Sequence, residues 1–162
     1  MTERYTVRVT KDYLVFCAGH FITYHGGECE RMHGHNWRVA VEVEASLDEN
    51  YYVFDFIALK NIMRRFTDEL DHYMLVPTRN NLIAVTEGPK SVRLAFRDKE
   101  WIFPREDCVL LPVENTTAEL LAKYLAGKLR DELRTAHQLT PDVIRMEVEE
   151  SFGQTARYEW RK

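Results

Sequence analysis

Alternation of apolar and polar positions dominates both ends of the chain. In "YTVRVTKDYLVFCAGHF", Leu14, Phe16, Ala18 and His20 share one face if the strand runs through, as one long or two short strands. "HNWRVAVEVEASL" alternates more cleanly. Trp37, Val39, Val41 and Val43 oppose Arg38, Ala40, Glu42 and Glu44, the pattern of a half-buried antiparallel strand. Near the C-terminus, "VIRMEVEES" sets Ile144, Met146 and Val148 against Arg145, Glu147 and Glu149, and "TARYEW" predicts a closing strand.

Between these ends the period changes to that of a helix. In "DFIALKNIMRRFTDELDHYML", Phe56, Leu59, Ile62, Met63 and Phe66 recur at three- and four-residue steps, with Asp55 at the N-cap position. In "NTTAELLAKYLAGKLRDELRTAH" the stripe is Leu120, Leu121, Tyr124, Leu125, Leu129 and Leu133, and Thr116 with Glu119 forms a capping-box pattern. Residues 77 to 114 are less regular. Val92, Leu94 and Phe96 alternate, "RDKE" turns and "WIF" returns, which predicts a hairpin. The order is strand, strand, helix, hairpin, helix, strand, strand. It predicts an α+β sandwich of two layers, an antiparallel sheet with both helices on one face.

Composition narrows the class. The 162 residues suit one domain, spanning 1–162, and 45% hydrophobic with 30% charged residues is an ordinary globular balance. A formal charge of -4 argues against a nucleic-acid partner. No run of 18 apolar residues predicts a membrane span, and "MTERYTVRVTKDY" has no signal-peptide core. Cys17, Cys29 and Cys108 are too few and odd in number for a disulfide framework, which suits a reducing cytoplasm.

The chemistry concentrates in "GGECERMHGHNW", residues 26 to 37. His33 and His35 point to the same side of an extended chain, with Cα atoms roughly 6.5 Å apart. Their parity continues into Trp37, Val39 and Val41, so they end the core-facing side. His20 ends the preceding strand in the same way, and a hairpin-like return over 21 to 34 would bring the three together. Three histidines with an open position is the pattern of a catalytic zinc site. The H-x-H pair taken alone is equally a solvated pair.

Cys29, flanked by glycines and glutamates, reads as an exposed loop cysteine with a depressed pKa. It could be a fourth ligand, a nucleophile, a general base or a free thiol. Cys17, inside "LVFCAG", reads as a core residue. Asp71 and His72 are either a proton-transfer pair or the charged end of a helix. Glu150 continues the buried parity of Ile144, Met146 and Val148, and an inward carboxylate needs a partner. Glu119 is accounted for by its capping pattern.

In order along the chain, "FCAGH", "CERMHGH", "VFDFIALK", "LDHYML", "NTTAELLAKYL" and "VEESFGQTARY" resemble the segments of the 6-pyruvoyltetrahydropterin synthase and 6-carboxytetrahydropterin synthase family. The resemblance implies the tunnelling fold, an antiparallel four-stranded sheet with two helices, and a homo-oligomer of two stacked trimers with active sites between subunits. It implies Zn2+ on His20, His33 and His35, a catalytic group of Cys29, Asp71 and His72, and a pterin site at Thr117, Glu119 and Glu150. The implied substrate is 7,8-dihydroneopterin triphosphate. The implied reaction eliminates triphosphate, giving the 6-pyruvoyl product if the side chain is kept or, if acetaldehyde is also lost, the 6-carboxy product of the queuosine route.

Two features depart from the family pattern. The insertion at about 77–114 is long, and Glu30 stands three residues before His33. Some relatives use a glutamate there to form 6-hydroxymethyl-dihydropterin for folate synthesis. A metal-containing pterin-binding protein without catalysis is the alternative outside enzymes.

Overall fold

A computed structural model describes residues 3–162; Met1 and Thr2, the start of the stretch read for a leader, lie outside it. The strand β1 (Tyr5–His20) is followed by the short β2 (Thr23–Tyr24) and β3 (Glu28–Cys29), then β4 (His33–Ala45) and the helix α1 (Phe56–Asp68). Next come β5 (Tyr73–Pro77), β6 (Ala84–Glu87), β7 (Ser91–Phe96), β8 (Lys99–Pro104) and β9 (Cys108–Leu111). The chain closes with α2 (Ala118–Ala136), β10 (Val143–Ser151) and β11 (Gln154–Arg161).

The main sheet has six strands in the order β11-β10-β4-β1-β5-β9. This corrects the antiparallel four-stranded expectation. The four predicted strands do pair antiparallel, but β5 and β9 extend the sheet with parallel pairings. The helix α1 ends at Asp68, and the "YML" expected to continue it belongs to β5. His72, with φ of 64°, sits in the turn between them. That backbone conformation is incompatible with a continuing right-handed helix. The 77–114 segment likewise holds more than a hairpin: β6, β7 and β8 form a separate three-stranded sheet.

The alternating patterns build one core. Leu14, Phe16, Trp37, Val39, Val41, Val43, Ile144, Met146 and Val148 all lie in it with the apolar stripes of both helices. Cys17 lies between buried Phe16 and Ala18 and so faces the other side of the strand, exposed, against the core expectation. Phe56 is also exposed, because the stripe of α1 begins at Leu59. Asp55 caps that helix as expected, its Oδ1 accepting from Ala58 N at 2.7 Å. For α2 the cap is Thr117, which accepts from Leu120 N, and not Thr116, so Glu119 has no capping-box partner. Thr116 is fully buried and bonded elsewhere.

Strand β1 carries an irregularity. Thr10 pairs with Ala40 while Val15 pairs with Arg38, so residues 11 to 14 stand opposite the single residue Val39. Before it Val7 and Val9 are buried; after it Leu14, Phe16, Ala18 and His20 are. A second cluster joins β5 and β9 to the inserted sheet and includes Phe21, Cys29, Val92, Leu94 and Phe96. Among the described residues, no helix is long and apolar enough to cross a membrane.

The core makes a direct prediction. Leu129, fully buried at the α2–sheet contact, should cost about 3 kcal/mol as Leu129→Ala. Asp55→Ala should cost about 1 kcal/mol. Urea unfolding of both variants at one protein concentration checks the ordering.

Candidate metal centre

The β1–β4 register sets His20 directly opposite His33, and Ala18 opposite His35. All three histidines therefore meet at one end of the sheet. Ring centroids are 4.8 Å apart for His20–His33, 5.3 Å for His20–His35 and 4.7 Å for His33–His35. One ring nitrogen from each lies within 4.8 Å of the others, so the three could hold a metal ion. Trp37 forms the floor, its ring 4.9 Å from His20 and 5.3 Å from His35, and Phe16 stacks beneath it.

The outer nitrogens are already fixed. His20 Nδ1 lies 2.9 Å from the Thr116 carbonyl and His33 Nδ1 lies 2.8 Å from the Arg31 carbonyl. A carbonyl only accepts, so both Nδ1 atoms carry a proton, which leaves Nε2 as the nitrogen through which either ring could bind an ion. His20 Nε2 is buried with no hydrogen-bond partner. An orphaned, unprotonated imidazole nitrogen aimed at two others fits a bound cation. Burial, opposed in part by the Thr116 bond, lowers the His20 pKa to about 4. Protons therefore do not compete for that nitrogen near neutrality.

Glu150 reaches the same place from β10. Its Oε1 lies 3.5 Å from His20 Nε2 and 3.7 Å from His35 Nε2. The inward parity read from the sequence holds to the end of the strand, and its partners are the histidines. Beside it an open cleft of about 410 Å³ is lined by Ile22, Thr117, Glu119, Glu150 and Thr155. Thr117 and Glu119 at the start of α2 and Glu150 of β10 thus share one cleft next to the cluster.

Cys29 departs from expectation. The chain makes a tight β2–β3 hairpin at His25 and Gly26, both with positive φ, closed by Gly27 N donating to Tyr24 O at 3.1 Å. Cys29 is paired in that hairpin and buried in the second cluster. Burial raises its thiol pKa, with Lys99 opposing and Glu30 reinforcing the shift. The depressed pKa of an exposed loop cysteine is absent. The neighbouring Glu30 is only half-buried, and its Oε2 lies 3.8 Å from His33 Nδ1 while accepting from Ile22 N at 3.3 Å.

Asp71 and His72 form a dyad, Oδ2 to Nδ1 2.8 Å. Against the cost of burial, bonds from Cys17 N and His72 hold the Asp71 carboxyl below its usual range. The dyad is anchored at Cys17, since Asp71 Oδ1 accepts from Cys17 N at 2.7 Å and His72 N donates to Cys17 O at 2.6 Å. That is three residues, roughly 10 Å of strand, from His20. The His72 ring is 81% exposed.

Sequence reasoning missed two contributors. Thr116 reads as a helix cap, yet it orients His20 through both its carbonyl and its hydroxyl. Trp37 reads as core alone. The signal for Thr116 was the need of a ligating histidine for a partner at its second nitrogen.

Fold and site together define a tetrahydropterin synthase type of protein. The sequence profile of the 6-pyruvoyl tetrahydropterin synthase family matches residues 8–161, and the chain belongs to that family. A protein of Methanocaldococcus jannaschii, provisionally named a 6-carboxy-5,6,7,8-tetrahydropterin synthase, is 32% identical over 146 residues, 90% of this chain and 89% of its own. The 6-carboxy-5,6,7,8-tetrahydropterin synthase of Haemophilus influenzae is 28% identical over 150 residues, 86% of this chain and 90% of its own. Among solved structures, a Plasmodium vivax 6-pyruvoyltetrahydropterin synthase matches with a TM-score of 0.89 at 25% identity, covering 99% of this chain and 100% of that one. It is described as a variant with a catalytic glutamate replaced by alanine.

The His20 environment predicts the acid behaviour of metal-free protein. Its folded pKa of about 4 lies below the usual 6.5. The unfolded chain therefore binds the proton first, and stability falls as pH drops from about 6.5 towards 4, then levels off. Urea midpoints of chelator-treated protein should decrease over that window. The decrease should shrink in His20→Gln.

Proposed function

We propose that the protein is a zinc-dependent lyase acting on 7,8-dihydroneopterin triphosphate. The convergence of three imidazoles beside the Glu150 cleft carries this reading. His20, His33 and His35 would hold the ion, which when bound supplies Lewis acidity to the hydroxylated side chain of the substrate. Glu150, with Thr117 and Glu119 on the same cleft wall, receives the amino-pyrimidinone edge of the pterin. A half-buried carboxylate matches two adjacent N–H donors there.

Proton transfer on the side chain falls to the β2–β3 hairpin and to the dyad. In the first reading Cys29 is the base: elimination of triphosphate with the side chain kept yields the 6-pyruvoyl product, and elimination of triphosphate with loss of two side-chain carbons as acetaldehyde yields the 6-carboxy product carried in the names of the curated relatives. The second reading is favoured by a specific observation. Glu30 has its carboxylate 3.8 Å from His33 Nδ1, and a structural relative is described as having a catalytic glutamate. With Glu30 as base, removal of the second side-chain hydroxyl proton breaks the bond between the first and second side-chain carbons, giving 6-hydroxymethyl-dihydropterin and releasing the two-carbon remainder as an aldehyde that still carries the triphosphate.

Product identification by mass separates these. We expect Cys29→Ala to lower the 6-carboxy or 6-pyruvoyl product at least about a hundredfold. We expect Glu30→Gln to do the same to any 6-hydroxymethyl product. Exclusive formation of 6-hydroxymethyl-dihydropterin by the unaltered protein would sink the first reading. Binding of the pterin without any turnover would leave only the non-catalytic binding protein.

We read residues 1–162 as one catalytic unit of a cytoplasmic homo-oligomer, two stacked trimers. Tyr51, Tyr52, Phe56 and Ile57 are exposed within one short stretch, as a subunit contact would require. The dyad's exposure and its distance from His20 support a role in a neighbouring subunit's site. Two inactive variants, His72→Ala and Glu150→Gln, should then regain activity when dissociated, mixed and reassembled, because some sites receive an intact set. Persistent inactivity of reassembled mixtures would place the dyad within its own subunit's site.

A further inference from the structure

The inserted sheet is accounted for neither by the metal cluster nor by the cleft. Besides packing on β5 and β9 it contacts one small segment, the β2–β3 hairpin and its entry. Arg97, in the two-residue turn between β7 and β8 with φ of 51°, donates from Nη2 to the Gly27 carbonyl at 2.6 Å. A Cβ built on Gly27 would lie 3.2 Å from that Nη2, a tight contact with the end of the arginine side chain. Trp101 of β8 stacks on Phe21, centroids 4.5 Å apart and planes 27° from parallel. Phe21 adjoins Ile22, whose carbonyl accepts from Glu30 N at 3.0 Å and whose N–H donates to the Glu30 carboxylate. Cys29 itself packs in the cluster that β7 supplies.

We propose that Arg97 and Trp101 are positioning residues: the inserted sheet clamps the β2–β3 hairpin at both ends and so fixes Cys29 and Glu30 relative to the histidines. A two-stranded hairpin of two-residue strands has little stability of its own. Its ladder cannot hold a proton-transfer group to the tolerance that catalysis needs. Arg97 secures the turn side through a charged hydrogen bond, and the Trp101–Phe21 stack secures the side nearest His20. The functional consequence rests on the reading of Cys29 and Glu30 as the proton-transfer groups; the clamp itself does not.

Two readouts in the full-length protein test this. Under native conditions, alkylation of Cys29 by iodoacetamide is followed by mass spectrometry, with Cys108, buried in the same cluster, as the internal reference. Loss of one charged hydrogen bond in Arg97→Ala should raise the Cys29-to-Cys108 rate ratio about tenfold. With 7,8-dihydroneopterin triphosphate, the same variant should lose kcat about tenfold with KM within about twofold. Arg97→Lys should recover part of the kcat, and Trp101→Leu should act in the same direction as Arg97→Ala.

An unchanged ratio, or an equal rise at both cysteines, overturns the clamp. A raised ratio with unchanged kcat overturns its positioning role. A protein inactive on this substrate whose ratio still rises in Arg97→Ala keeps the clamp and removes the enzymatic reading.

Discussion

Everything at the site depends on one register, the antiparallel pairing of β1 with β4. It sets His20 against His33 and puts His35 two residues further along the same face. The connection over residues 21–32 closes the pair locally, so no distant segment is needed to bring the imidazoles together. The ladder does it, and the ladder is held by the burial of Phe16, Trp37 and the valines behind them. The histidine cluster is therefore an extension of the hydrophobic core. Its floor is a core tryptophan, and its most buried member, His20, is as inaccessible as a core leucine.

That continuity explains what could be read from sequence. Strict alternation in β4 and β10 carries burial parity, and parity carried His33, His35 and Glu150 to the inward side before any coordinates were considered. Helical spacing identified both helices and the Asp55 cap. What alternation cannot encode is partner choice. The parallel additions β5 and β9 are short apolar runs, and a run such as "YMLVP" has no period to distinguish strand from helix end. The Thr116–Glu119 spacing satisfies a capping box, but a histidine needing a partner took Thr116 and the cap moved one residue on.

Cys29 illustrates a different limit. Glycines and charges around it indicated a turn correctly, yet the thiol is buried because the inserted sheet covers it. Local composition reports the hairpin; the cover comes from residues more than sixty positions later. The environment of a reactive side chain is here a tertiary property. This is why Glu30, beside the histidines and only half covered, competes for the role that the cysteine motif suggests.

The irregularity in β1 has a consequence beyond local twist. Four residues on β1 face one on β4, an excess of three, and three is odd. The buried parity of β1 therefore reverses at that point while that of β4 does not. His20 belongs to the second phase. The segment 11–14 thus works as a phase shifter, and its length decides which face of the sheet receives the third histidine. Shortening it by one residue would turn Phe16 and Ala18 to the solvent side together with His20. The core and the histidine cluster therefore depend on the same phase.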